Sequence, residues 1–391
     1  MPQYSKRLGI VRKCDLCQGR LAVGEAPACA QACPGEAIRV RLVETEEVRS
    51  RLATVSLPQN ASVTNAFLPD SPDPAVSLPT TRYRSNRLLG PDLRSATAGT
   101  PEPAPAHAPL GVMLVLTQLA LGAFIVDGFQ RWQAPPTPGA FLALAGTVLL
   151  GLGLAASTSH LGRPAQAWRS FLGWRTSWLS REIIALNVFL FAAVSHTAGV
   201  LTRGSWPDLP TAPATGLATV LAGLLGVYTS ARVYTATRRG FWSPDRVFPD
   251  FLGTVVLASL GFALTQRTDG AASIALAVAL PAKVAFELLP LATSLRWRKE
   301  NSARSEIAPY PASGAAWIQR SAALLRGPLR PLLIARIAFA GVALTTLLVG
   351  RIRSDSSVWA WMTLIPLLAG ELLSRRLFFR AAVPDRMPGV A

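Results

Sequence analysis

Leu110-Gly111-Val112-Met113-Leu114-Val115-Leu116-Thr117-Gln118-Leu119-Ala120-Leu121-Gly122-Ala123-Phe124-Ile125-Val126 runs for seventeen residues without a charge. With its flanks it reaches the twenty or so residues that cross a hydrocarbon core of about 30 Å. The same pattern recurs to the C-terminus. Eight such spans lie near 110–130, 139–158, 182–202, 214–234, 249–266, 271–292, 332–350 and 358–378. Half of all residues are hydrophobic, yet the first hundred are polar and proline-rich, so the apolar excess sits after Pro109. The sequence therefore predicts a mainly α protein: an eight-helix transmembrane bundle behind a small polar head. Pro281 and Pro290 predict a kink in the sixth span, tolerable where neighbouring helices satisfy the freed carbonyls.

The net charge of +17 does not point to nucleic acid, because the arginines gather at the ends of apolar spans, as topology signals do. One set of loops and the C-terminus carry eighteen basic residues, among them Arg163, Arg169, Arg175, Arg181, Arg238, Arg239, Arg246, Arg375 and Arg376. The other side has five, Arg131, Arg203, Arg267, Arg351 and Arg353. The first side is expected to be cytoplasmic, and eight spans put both termini there, in a bacterial inner membrane.

Three segments are expected: a head over 1–52, an extended arm and proline-rich linker over 53–108, and the membrane domain over 109–391. The head holds every cysteine, as Cys14-x2-Cys17, an eleven-residue gap, and Cys29-x3-Cys33-Pro34. Four thiolates so grouped can converge on a cubane iron–sulfur cluster or a tetrahedral zinc. Proline after the last cysteine favours the cluster. Residues between Cys17 and Cys29 read as a short helix or turn with glycine exits, Ala37 to Val43 alternates like a strand, and Glu44 to Leu52 reads as a helix. That is a small ferredoxin-like α+β unit, stable only with its metal centre or a partner surface.

In the membrane part, Ser157 to Arg181 joins the second and third spans. His160 sits at the membrane boundary, where an imidazole can hydrogen-bond a quinone oxygen and move a proton. Glu182, opening the third span, could take that proton onward or simply complement the helix dipole. Trp168, Trp174 and Trp178 mark the interface. Lys283 and Glu287, at i and i+4 inside the sixth span, are a structural ion pair or part of a proton path. Glu371 and Asp127 are weaker cases, and Gln118 and His196 are expected to bond between helices. No nucleophile–base pair or phosphate-binding glycine loop is present.

Two parts of the chain resemble one family of complexes. Lys13 to Cys17 with Gly24, Pro27-Ala28-Cys29 and Ala32-Cys33-Pro34 resembles a cysteine group of the iron–sulfur subunits of dimethyl sulfoxide reductase-like molybdoenzymes. Ser159-His160-Leu161-Gly162 with Pro164, Trp174 to Glu182, Tyr228 to Tyr234, and Gly370-Glu371-Leu372-Leu373 before Phe378-Phe379 resemble the DmsC-type anchor subunit. The resemblance implies an anchor fused to a 4Fe-4S fragment held by Cys14, Cys17, Cys29 and Cys33. It further implies menaquinol oxidised at a site where His160 and Glu182 match the family's histidine and glutamate. Electrons would then pass to a molybdopterin catalytic subunit in anaerobic respiration, so the terminal reductase site lies on another chain. Family iron–sulfur subunits have four cysteine groups and this chain has one. Either one cluster takes all four cysteines, or a further iron–sulfur protein completes a second, or the sequence is truncated at Met1.

Two other readings compete with this one. A structural anchor could carry a degenerate ferredoxin fragment that only docks a partner. A transporter could use Lys283 and Glu287 beneath a zinc-bearing head, but transporters often show internal repeats and none is visible.

Overall fold

A computed structural model describes residues 3–5, 10–12, 15, 17–33, 43–54, 101–133, 139–159, 164–202, 212–237, 239–266, 270–301, 316–353 and 356–383. The protein forms two compact units, 1–95 and 96–391.

In the first unit, strands β1 (Gln3–Ser5) and β2 (Ile10–Arg12) pair antiparallel, with Tyr4 opposite Val11. Helices α1 (Gln18–Ala22), α2 (Ala28–Gln31) and α3 (Thr45–Thr54) follow. Gly24 leaves α1 at φ +80°, a conformation only glycine adopts without strain. The hairpin has no counterpart among the sequence expectations, whereas α3 falls on the expected helix. Of the expected strand, residues 37–42 lie outside the described residues, as do Cys14 and most of the expected arm and linker.

Among the described residues, the second unit is built on eight long helices. They are α4 (Ala108–Gln133), α5 (Phe141–Thr158), α6 (Trp178–Leu201), α7 (Ala212–Thr235), α8 (Pro244–Thr265), α9 (Gly270–Asn301), α11 (Arg330–Ile352) and α12 (Ser356–Arg380). A shorter helix, α10 (Ala316–Arg326), precedes α11. Over the described residues, seven of the long helices, α4 to α9 and α11, are long and apolar enough to cross a membrane. The eighth expected span, α12, is not among these seven, and its C-terminal half carries Glu371, Arg375 and Arg376. Its Glu371 and Arg375 are nonetheless 1% and 0% exposed, turned into the bundle. α9 runs unbroken through Pro281 and Pro290.

α4 is the hub, with 72% of its apolar stretch buried, and it packs on α5, α7, α8 and α12. Small residues allow the close approach. A Cβ on Gly122 would stand 2.7 Å from Ala258 Cβ and 2.9 Å from the Ser259 nitrogen, so α4 and α8 touch backbone to side. On α5, Gly146 makes room for the Phe124 ring in the same way. The end of α12 is sewn to its surroundings. Trp242 Nε1 donates to Phe378 O at 3.1 Å and Ser321 Oγ to Ala381 O at 2.8 Å.

Candidate functional site

The stretch between α5 and α6 is held by local chemistry. Pro164–Gly173 is a 3-10 helix that packs against α6. Gly173 closes on the start of α6, where a Cβ would meet Ser180 Oγ at 2.7 Å. Ser177, extended at φ −111°, caps α6 by accepting from Ser180 N at 3.4 Å. Arg181 donates back to Trp174 O at 2.8 Å and Arg175 O at 2.7 Å, binding the turn to the helix. The Trp178 ring stands between two guanidiniums, with Arg181 at 4.4 Å and Arg232 of α7 at 4.6 Å. His160, with Leu161, Gly162 and Arg163, lies outside the described residues.

α6 begins at Trp178 rather than near residue 182, so Glu182 sits beyond the first turn. A helix-dipole role weakens there, since that effect fades within one turn. The Glu182 side chain is buried, 4% exposed, and bonds to Ser230 of α7. Its Oε1 has no donor among the described residues. A buried carboxylate oxygen left in this way is costly, and a ligand hydroxyl would satisfy it. Tyr234, one turn beyond Ser230, is buried against Trp242, Phe251, Phe378 and Phe379, with ring centroids 5.2–5.9 Å away. Glu182 thus lies within electrostatic reach of a buried aromatic cluster.

Lys283 and Glu287 stand in a larger assembly. Lys283 Nζ lies 3.0 Å from Asp250 Oδ1, 2.6 Å from Glu287 Oε1 and 3.0 Å from Glu371 Oε2. Arg336 bridges Glu287, at 3.0 Å through both Nε and Nη2, and Glu371 at 2.8 Å. Arg375 pairs with Asp250 and donates to Gln118 Oε1 and Thr254 Oγ1, each at 2.9 Å. Ser374 Oγ donates to Glu287 at 3.0 Å and Thr254 Oγ1 to Glu371 at 2.6 Å. Among the described residues, three cations therefore face three carboxylates, drawn from α8, α9, α11 and α12. A cavity of about 40 Å³ lined by Phe241, Arg246, Asp250, Glu287, Ser374 and Phe378 reaches this network. That is room for two or three waters.

At the other end of α4, Asp127 takes Arg131 in a bidentate pair at 2.7 and 2.8 Å and His196 Nε2 at 2.8 Å. His196 Nδ1 meets Thr215 Oγ1 at 3.0 Å. Gln118 and His196 thus bond between helices, as expected. Asp250, Arg336 and Arg375 were missed by sequence reasoning, which counts Arg375 among the face arginines. The one available signal was spacing, since Glu371 and Arg375, like Lys283 and Glu287, stand at i and i+4 on an apolar helix.

In the head, Cys17 and Cys33 are half-buried and Cys29 is exposed. No group of three or more metal-ligating side chains converges among the described residues. The three described cysteines do not by themselves form a cluster cradle.

The sequence model of the family described as DMSO reductase anchor subunit (DmsC) matches residues 105–380. The sulfite dehydrogenase of Allochromatium vinosum has a subunit that is 36% identical over 96 residues, covering 24% of this protein and 30% of that one. The anaerobic dimethyl sulfoxide reductase of Haemophilus influenzae has one that is 31% identical over 159 residues, covering 39% of this protein and 55% of that one. The matched stretches thus span about a third to a half of these relatives.

Proposed function

The protein belongs to the DmsC family of DMSO reductase anchor subunits, multi-pass membrane proteins, and from that premise we propose that it oxidises menaquinol beside Glu182. The observation that carries this reading is the buried Glu182 carboxylate with one oxygen on Ser230 and the other lacking a protein donor among the described residues. A quinol hydroxyl would donate to that open oxygen and pass its proton there as the ring is oxidised. His160, at the end of α5 in sequence, is assigned the second ring oxygen. The buried aromatic cluster around Tyr234 supplies the apolar surroundings in which a quinol ring would sit.

The reading has three further parts. α12 is assigned as the eighth crossing, its charges satisfied inside the bundle instead of in lipid. The arginine-rich loops are assigned to the cytoplasmic face, and an even number of crossings puts both chain ends there. Residues 1–52 are assigned as an iron–sulfur fragment, 53–108 as arm and linker, and 109–391 as the anchor domain. Cys14, Cys17, Cys29 and Cys33 are its proposed 4Fe-4S ligands. Such a cluster, when bound, supplies one-electron transfer toward a molybdopterin catalytic subunit, with a further iron–sulfur protein as the other expected partner. The grouping of the described cysteines lends no support to this last part, which stands on their spacing alone.

A second reading concerns Lys283 and Glu287, and the cavity favours it: water beside Glu287 and Asp250 would give the ionic network proton exchange with the arginine-rich end. The test of the main proposal is His160→Arg in the assembled complex. Quinol-dependent reduction is expected to stop while a viologen donor still drives the catalytic subunit. Unchanged quinol oxidation would overturn the assignment.

A further inference from the structure

The segment between α5 and α6 has a charge pattern that quinol chemistry leaves unused. From Ser159 to Arg181 there is no Asp or Glu, while Arg163, Arg169, Arg175 and Arg181 recur every six residues. Three of these arginines stand beside tryptophan planes. Arg169 is 5.8 Å from the Trp168 ring centroid, Arg175 5.3 Å from Trp174, and Arg181 4.4 Å from Trp178. Arg181 spends its donors inside the turn, on Trp174 O and Arg175 O. Arg169 and Arg175 are exposed. Trp168, Leu172 and Trp174 are 58%, 71% and 53% exposed. The 3-10 helix packs on α6, whose own exposed Leu179 and Val194 share one helix face.

Exposed tryptophans paired with arginines, on a segment with no carboxylate of its own, match the headgroup layer of a bilayer. Rings settle at the boundary and guanidiniums take phosphate oxygens. We propose that residues 164–179 form an interfacial strap that binds anionic phospholipid headgroups, with Arg169 and Arg175 as the phosphate ligands. The tryptophan planes hold each guanidinium by its face and leave its edge N–H groups for the phosphate. The strap rests on this being a membrane protein and not on the quinol assignment. It ties the stretch that follows His160 to the lipid surface.

The test uses the full-length protein in nanodiscs containing lipids brominated on their acyl chains. The fluorescence of the strap is the difference between the native protein and Trp168→Phe/Trp174→Phe. Brominated phosphatidylglycerol is expected to quench it more than brominated phosphatidylcholine at equal mole fraction, with local enrichment of about fivefold per arginine. Arg169→Gln/Arg175→Gln should bring the two lipids level with helix content unchanged. Equal quenching by both lipids in the native protein would overturn headgroup binding. Quenching by neither would also overturn it, and would make the strap a docking face for protein. Quinol oxidation is read separately, so failure of one proposal is distinguishable from failure of the other.

Discussion

Glu182 is expected to show its role through a pair of conservative changes. Glu182→Gln keeps the volume and a bond to Ser230 but cannot accept a proton, and should lower quinol-dependent turnover by about 10²–10⁴-fold. Glu182→Asp should retain part of the activity. Steady-state kinetics with a soluble menaquinol analogue, read beside viologen-driven activity, checks both. Lys283 poses a different question. Removing it leaves Asp250, Glu287 and Glu371 paired, among the described residues, with Arg336 and Arg375 alone. Lys283→Met should cost about 3–5 kcal/mol, the usual penalty for breaking a buried pair. Lys283→Met/Glu287→Gln restores charge balance and should recover much of that loss in a double-mutant cycle measured by unfolding in micelles. Normal assembly of Lys283→Met with total loss of turnover would instead move this pair into a proton path.

The packing of α4 on α8 makes its prediction at the level of the element. Gly122 sits where a Cβ would press on Ala258 and the Ser259 backbone, whereas nothing lies within 4 Å of the Cβ position at Gly128 on the same helix. Gly128→Ala should therefore stabilise by up to about 1 kcal/mol through helix propensity. Gly122→Ala should destabilise by about 1–3 kcal/mol despite the same propensity gain, because the helices must part. Thermal unfolding of the two variants side by side decides it. The spacing of apolar residues made the eight long helices legible to within a few residues at most ends. α6 starts earlier than expected because Ser177 caps it and Arg181 ties back the preceding turn. Those interactions depend on side chains meeting in space, so hydropathy does not register them. The 3-10 helix and α10 escaped for a related reason, since neither is long enough to read as a crossing.

For the whole molecule, the decisive feature is the set of six charges shared by α8, α9, α11 and α12. α12 brings Glu371, Arg375 and Arg376 into a helix otherwise apolar enough to cross a membrane. Within the bundle Glu371 meets Arg336 and Lys283, and Arg375 meets Asp250 and Gln118. The cost of carrying those charges falls on the assembled interior and not on lipid. Reporter fusions after residues 159, 239 and 383 should accordingly report one face of the membrane, and fusions after 136 and 205 the other. A reporter at 383 that matches 136 would remove α12 from the crossings and return the seven-helix count.

The order and lengths of the long helices were set by the sequence alone, because a bilayer imposes one length and one composition on any segment that crosses it. The interest of Glu182, Lys283 and Glu287 was equally readable, since a charge inside an apolar stretch is rare enough to be noticed singly. What those charges meet was decided only by the tertiary structure. Asp250, Arg336 and Arg375 stand on three different helices, and no local spacing reveals that α8, α9, α11 and α12 turn their charged faces toward one another. The same holds for the open oxygen of Glu182, because its bond to Ser230 exists only once α7 lies against α6.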